Sequence, residues 1–250
     1  PGVRIAETPA GMLNSIGLQN PGVDAVIRDM APRWARWRVP VIVSILGATP
    51  EEYGRLAARL DGVRGVAGLE VNISSPNARR GGMEFGQDPE AAAAVTAEVV
   101  RNSTLPAIVK LTPNVTDIVA VARAVVAAGA DALCVINTLQ AMGIDAEARQ
   151  PVISSTFAGL SGPAIKPVAL RMLYQVADAV EVPIVGCGGI ASGRDAIEFL
   201  LAGASAVQVG TATFGDPAAP LNVLEGLQQY MRDHGVDDVR ELVGGARAAS

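Results

Sequence analysis

The chain has 250 residues, 50% of them apolar and only 4% aromatic, with 27 glycines, 16 prolines and a formal net charge of −5. That length accommodates one large α/β domain or two small ones around a core of Ala, Val, Leu and Ile. An acidic chain without a basic stripe argues against nucleic acid, two cysteines exclude an iron–sulfur cluster or a Cys-type zinc site within it, and the single His234 leaves no Ser-His-Asp apparatus.

In chain order, Pro1–Ser15 reads as loop, and the Gly-containing polar run Asn14–Asn20 leads into a helix over Asn20–Trp34. A β-rich run, Pro40–Leu46, is followed by Thr49-Pro50, a helix start, and an amphipathic stretch to Leu60. The apolar segment Val63–Val71 carries a strand over Leu69–Ile73 and breaks into the polar run Asn72-Ile73-Ser74-Ser75-Pro76-Asn77. The long stretch Ser74–Asp88, with Gly81-Gly82 as a hinge, is expected to close over a ligand. Asp88-Pro89 opens a helix to Arg101, Ala107–Leu111 is a strand, Thr116-Asp117 opens a helix to Ala128, and Gly129 stops it. Further strands are Ala132–Asn137, Pro183–Cys187 and Ala206–Gly210, with helices over Ile165–Val180 and Gly193–Ala202 and a stop at Gly203. Cys134 and Cys187 both fall at strand ends as buried thiols of a reducing cytosol. No apolar run reaches membrane-spanning length, since Arg123 and Asp131 interrupt the richest one, and the N-terminus lacks a charged-then-apolar signal.

Most of these strands are continuous apolar runs, as expected of parallel strands covered on both faces, and they alternate with helices in a βαβ array. The last two units favour a barrel over an open sheet. Gly186-Cys187-Gly188-Gly189 and Gly210-Thr211 place glycines at two adjacent strand ends, where backbone N–H groups approach a phosphate, as after strands seven and eight of (β/α)8 enzymes. The expected fold is therefore a (β/α)8 TIM barrel, residues 1–250 forming one domain with strands 3–8 present. Strands 1 and 2 find no residues upstream, and the preferred reading is that the chain is a fragment.

Polar residues recur just past the apolar strands. Asn14, Asn72, Asn77 and Asn137-Thr138 offer carboxamides and a hydroxyl suited to a planar ligand with alternating C=O and N–H groups. Lys110 sits in an apolar strand, where a ligand contact is favoured over a structural ion pair. Ser161-Gly162-Pro163 precedes a helix and could present N–H groups to a phosphate. A rim rich in Asn and without a carboxylate pair or metal cluster suits a cofactor that performs the redox chemistry while the protein orients the reactants, and flavin mononucleotide (FMN) fits.

The segments Glu7–Asn14, Asn72–Asn77, Lys110–Asn114, Gly159–Val168 and Gly186–Ile190 resemble class 1 dihydroorotate dehydrogenase, class 1B being the nearest branch. The resemblance covers essentially the whole chain. It implies an FMN-dependent barrel oxidising dihydroorotate to orotate in pyrimidine biosynthesis, with hydride passing from C6 to flavin N5. By resemblance, Asn14, Asn72, Asn77, Asn137 and Thr138, with the backbone of Gly17 and Leu18, hold the orotate. Lys110, Gly162, Gly188, Gly189, Gly210 and Thr211 hold FMN. The family's class 1 base is a cysteine; here its position carries Ser75, a weaker base that needs a proton relay or a coupled hydride departure. The resemblance further implies a cytoplasmic homodimer or heterotetramer, with a partner subunit carrying FAD and an iron–sulfur cluster. The rival readings are a related FMN barrel acting on another pyrimidine and a non-catalytic barrel keeping only the phosphate site.

Overall fold

The computed structural model describes residues 2–74 and 85–247, which fall into two units: residues 2–16, 135–178 and 183–247 in one, residues 17–134 and 179–182 in the other. The six expected strands, the cap residues and the glycine stops agree closely with the sequence; the first 16 residues and the four short strands between residues 139 and 161 do not. Instead of a loop, the first 16 residues form a hairpin of β1 (Ile5–Thr8) and β2 (Gly11–Asn14), with Ile5 opposite Asn14 and Thr8 opposite Gly11. Four-residue strands of mixed polarity carry little periodicity, which is why the sequence conceals them.

In the unit of residues 17–134, the expected helix at 20–34 is broken into α1 (Val23–Ala25), a π-helical stretch (Val26–Met30) and α2 (Ala31–Trp34). The strand β3 (Ile42–Ile45) leads to α3 (Pro50–Leu60), whose N-cap Thr49 accepts from the Glu52 N–H at 3.3 Å with Pro50 in the first turn. Next come β4 (Gly68–Asn72) and α4 (Pro89–Asn102), capped by Asp88, which accepts from the Ala91 N–H at 2.8 Å. Then β5 (Ala107–Leu111) precedes α5 (Ile118–Ala127), capped by Asp117 through the N–H groups of Val119 and Ala120. Strands β3, β4 and β5 are parallel, with Ser44 opposite Glu70 and Asn72 opposite Lys110. The strand β6 (Ala132–Val135) lies beside β5 and ends at the unit boundary. The strand alternation sends Leu69, Val71, Ala107 and Val109 into a fully buried layer and leaves Ser44, Glu70, Asn72 and Lys110 on the other face.

In the other unit the chain continues through β7 (Leu139–Ala141), the two-residue strands β8 (Ile144–Asp145) and β9 (Gln150–Pro151), and β10 (Ala158–Ser161). The strand β10 is antiparallel to both β2 and β7, so β1, β2, β10 and β7 form a four-stranded sheet over a small core of Leu13, Ile153 and Ala158. A 3-10 turn, Pro163–Ile165, runs into α6 (Lys166–Ala177), shorter at both ends than expected. Two parallel strands follow, β11 (Ile184–Cys187) and β12 (Ala206–Gln208), around α7 (Gly193–Ala202). The helix α7 starts with a reciprocal Ser192–Asp195 capping box and stops at Gly203, φ 119°. The short α8 (Ala212–Gly215), the 16-residue α9 (Ala219–His234) and a 3-10 turn (Val239–Leu242) follow; α9 is absent from the sequence expectation. His234 lies exposed at its end, stacked on Tyr230. Cys134 is buried as expected, whereas Cys187 is only half-buried.

Candidate functional site

Within residues 17–134, β4 and β5 present the polar face on which Asn72 and Lys110 sit opposite one another. Lys110 is held by Glu70, its Nζ lying 3.4 Å from both carboxylate oxygens, and Ser44 donates to the same carboxylate at 3.2 Å. The sequence weighed a ligand contact for Lys110 against a structural ion pair, and the ion pair with Glu70 is present. Glu70 was hidden by its apolar neighbours. Its signal is positional, since it stands two residues before Asn72 on the same strand face, where a buried charge demands a partner.

Asn72 ends β4 with both its backbone and its side chain engaged. Its carbonyl accepts from the Tyr53 hydroxyl at 2.7 Å, and its Oδ1 accepts from the Ser74 N–H and hydroxyl at 3.2 and 3.0 Å. Tyr53 is buried edge-on to Phe85, and burial pushes its phenol up to about 12. The strand end is thus fixed from behind before any ligand arrives. At the end of β5, the Thr112 hydroxyl accepts from the N–H and carboxamide of Asn114 and orders the next loop. Gly17 has φ 77°, with open space where a Cβ would stand, so it is its backbone conformation and not crowding by the protein that calls for glycine. Asn20 closes that turn by donating to the Leu18 carbonyl at 2.7 Å and accepting from the Gly22 N–H at 2.8 Å. Ser75 and Asn77 lie outside the described residues.

Within the second unit, Asn14 and Thr138 meet at Gly159. The Asn14 carboxamide donates to the Gly159 carbonyl at 3.4 Å, and a Cβ on Gly159 would fall 2.8 Å from the Thr138 Cβ and closer still to its hydroxyl. Asn137 turns its Oδ1 onto the Thr138 N–H at 2.8 Å, just past the cis peptide between Val135 and Ile136. The sequence singled out Asn14, Asn137 and Thr138; the glycine on which Asn14 and Thr138 converge was visible only as part of a longer motif.

The glycines also gather. Gly162 (φ 89°) would drive a Cβ onto Gly11 at 2.9 Å and stands against the Thr211 side chain, while a Cβ on Gly189 (φ 81°) would meet the Gly162 carbonyl at 2.8 Å. Gly188 (φ 130°) packs on Ala169, and an added methyl at Gly210 would meet nothing within 4 Å. Three glycines in conformations that other residues resist, with open space before a fourth, make a backbone-lined cradle of the kind a phosphate monoester occupies. The residues present therefore fit the phosphate of FMN.

Lys166, at the start of α6, braces this cradle by pairing with Asp195 at 2.6 Å and Glu198 at 2.8 Å. Those two carboxylates raise the Lys166 ammonium above its ordinary value. Burial works to raise the Asp195 carboxyl, but the Lys166 ammonium, the Ser192 hydroxyl and the Ala191 N–H outweigh it and hold the group low.

Residues 1–231 match the family model of dihydroorotate dehydrogenase. The chain belongs to the dihydroorotate dehydrogenase family. Among curated relatives, the dihydroorotate dehydrogenase B (NAD(+)) catalytic subunit of Desulforudis audaxviator is 57% identical over 98% of this chain and 80% of its own length. The protein of that name from Citrifermentans bemidjiense is 58% identical over 98% of the chain and 80% of its own length. That from Desulforamulus reducens is 57% identical over 98% and 81%. The dihydroorotate dehydrogenase family consists of oxidoreductases built on TIM barrels, in keeping with the parallel strands and covering helices of both units. No helix of this family member, among the described residues, is long and apolar enough to cross a membrane.

Proposed function

We propose that this chain is the FMN-dependent catalytic subunit that oxidises dihydroorotate to orotate in pyrimidine biosynthesis. The observation that carries this reading is the pairing, inside one unit, of an amide-and-hydroxyl cluster (Asn14, Asn137, Thr138) with a glycine cradle (Gly162, Gly188, Gly189, Gly210, Thr211). The first suits the imide and carboxylate of a pyrimidine, the second a phosphate. Asn72, Asn77, Gly17 and Leu18 complete the substrate contacts, and Lys110 faces the flavin ring. Bound FMN supplies the acceptor for the hydride that leaves C6 of dihydroorotate.

The protein's own work is orientation and proton removal. Tyr53 and Ser74 fix the Asn72 strand end, and the Asn137 carboxamide pins the following turn, so the polar groups are set before substrate enters. Ser75 takes the proton from C5. Its hydroxyl is a weak base at neutral pH, so removal of the proton is coupled to departure of the hydride or relayed onward. The stretch Ser74–Asp88, expected from the sequence to close over substrate, lies for the most part outside the described residues.

By the same reading, the parallel strands β3, β4, β5, β6, β11 and β12 are the third to eighth of the barrel, and residues 1–250 belong to one domain. Electrons leave to a partner subunit carrying FAD and an iron–sulfur cluster, in a cytoplasmic homodimer or heterotetramer. Anaerobic mixing of FMN-loaded protein with dihydroorotate tests the reading. The flavin's visible absorbance bleaches in the native chain; in Ser75→Ala it persists although FMN stays bound. Undiminished bleaching in that variant removes Ser75 from the mechanism, and no bleaching in the native chain removes dihydroorotate as the substrate.

A further inference from the structure

Glu70 has no place in the reaction described above, yet it is a carboxylate buried to 8% exposure in the middle of a strand. An ionised group there is tolerated only with compensation, and the structure shows what compensates it. On one side Ser44, directly opposite in the parallel register, donates its hydroxyl at 3.2 Å; on the other, the Lys110 ammonium lies 3.4 Å from each oxygen. Ser44, Glu70 and Lys110 come from three successive strands and share the face that also carries Asn72, Ser44 directly opposite Glu70 and Lys110 reaching it diagonally from the position opposite Asn72. The Ser44 hydroxyl and the Lys110 ammonium thus converge on the Glu70 carboxylate from two sides.

We infer that Glu70 is a positioning and charge-setting residue for Lys110, and that through Lys110 it sets the reduction potential of the bound flavin. The inference rests on the reading that Lys110 faces the flavin ring. A lysine near the ring favours the reduced flavin, which carries more negative charge than the oxidised form, and so raises its potential. A carboxylate at ion-pair distance behind that lysine cancels part of its field, and inside a protein such a pair is poorly screened. The pair also tethers the ammonium, whose stem would otherwise have free rotamers. Glu70 thereby holds the potential below the value a lone lysine would give. The Ser44 hydroxyl, by donating to the same carboxylate, draws some of its negative charge away from Lys110 and works in the opposite sense.

The test is potentiometric titration of FMN-loaded protein with a reference dye, for which neither substrate nor partner subunit is needed. Glu70→Gln keeps the shape and removes the negative charge behind the lysine, so the two-electron midpoint moves positive of native. Ser44→Ala, which leaves the pair in place and is the milder change if Glu70→Gln fails to fold, moves it negative. Lys110→Met, the control for the underlying reading, moves it negative as well. A shift with Lys110→Met but none in Glu70→Gln, or a negative shift in Glu70→Gln, overturns the role of Glu70 while leaving Lys110 at the flavin. Where Glu70→Gln does not fold, an unmoved potential in Ser44→Ala has the same force. No shift with Lys110→Met removes the lysine from the flavin and the inference with it. A residue needed only for folding lowers the melting temperature in Glu70→Gln and leaves the potential of the folded fraction at the native value.

Discussion

Gly189 and Gly210 enter the same cradle, but the structure gives them opposite tolerances. At Gly189 the φ of 81° lies in the left-handed region, and a Cβ would stand 2.8 Å from the Gly162 carbonyl, 2.9 Å from the Lys166 Cβ and 3.0 Å from the Lys166 nitrogen. Two of those three atoms are backbone and cannot swing aside. The conformation costs an alanine roughly 1–2 kcal/mol and the overpacking a further ~1–3 kcal/mol, so Gly189→Ala should lose about 2–5 kcal/mol. For a chain of this size each kcal/mol lowers the melting temperature by about 2–4 °C, giving a drop of roughly 4–20 °C. Gly210→Ala meets nothing within 4 Å and has an ordinary φ, so without FMN its melting temperature should match the native one. Its methyl does enter the space given to the phosphate, so FMN affinity should fall at least ~10-fold, one full factor of RT ln 10. Differential scanning fluorimetry without FMN and flavin fluorescence titration with it read the two effects separately. A native melting temperature for Gly189→Ala would refute the close approach of the two loops. Native FMN affinity for Gly210→Ala would refute the phosphate's place beside β12.

Two pH dependences follow from the shifted groups Asp195 and Tyr53. The Asp195 carboxyl is held below its ordinary value of 3.8 in the folded chain, so its contribution is complete above that value and is lost as pH falls through the lower folded one. Melting temperatures taken from pH 6 down to pH 3 should therefore fall less steeply in Asp195→Asn than in the native chain, and equal slopes would contradict the bracing role of the Lys166–Asp195 pair. Tyr53 has its phenol raised from 10.0 to about 12, so its contribution is complete below the ordinary value and is lost as pH rises toward the folded one. Tyr53→Phe should cost about 0.5–1.5 kcal/mol at neutral pH through the lost bond to Asn72 and should remove the part of the alkaline destabilisation that begins near pH 10, as followed by circular dichroism.

The regular beat of the chain is legible because each signal is local. Thr49-Pro50, Asp88-Pro89 and Asp117 carry side chains that cap the helices they precede, and the apolar runs at 69–71 and 107–111 are buried strands as they read. What stayed hidden depends on distant partners. The hairpin β1–β2 is a strand pair because β10 lies against it, and Asn14 meets Gly159 across 145 residues of chain. Glu70 looks like one polar letter in an apolar word until Ser44 and Lys110 are seen on either side. The helix α9 mixes Pro220, Gly226 and an exposed face with few buried positions, so its periodicity is weak. The candidate site residues were singled out from the strand-end pattern and from motif resemblance, whereas Tyr53, which holds the Asn72 strand end from outside those motifs, was not.

The bond between Asn14 and Gly159 also orders events during synthesis. An isolated hairpin of two four-residue strands has marginal stability in water, so β1 and β2 gain a lasting sheet only once β10 has been made. At ~5–20 residues per second, the 145 residues between them take roughly 7–30 s to translate. Throughout that interval, the β1–β2 segment stays uncommitted, exposed to chaperones and proteases, while the layers of β3, β4 and β5 with their capped helices already have the local contacts to form. Asn14 is thus translated well before the carbonyl that fixes it.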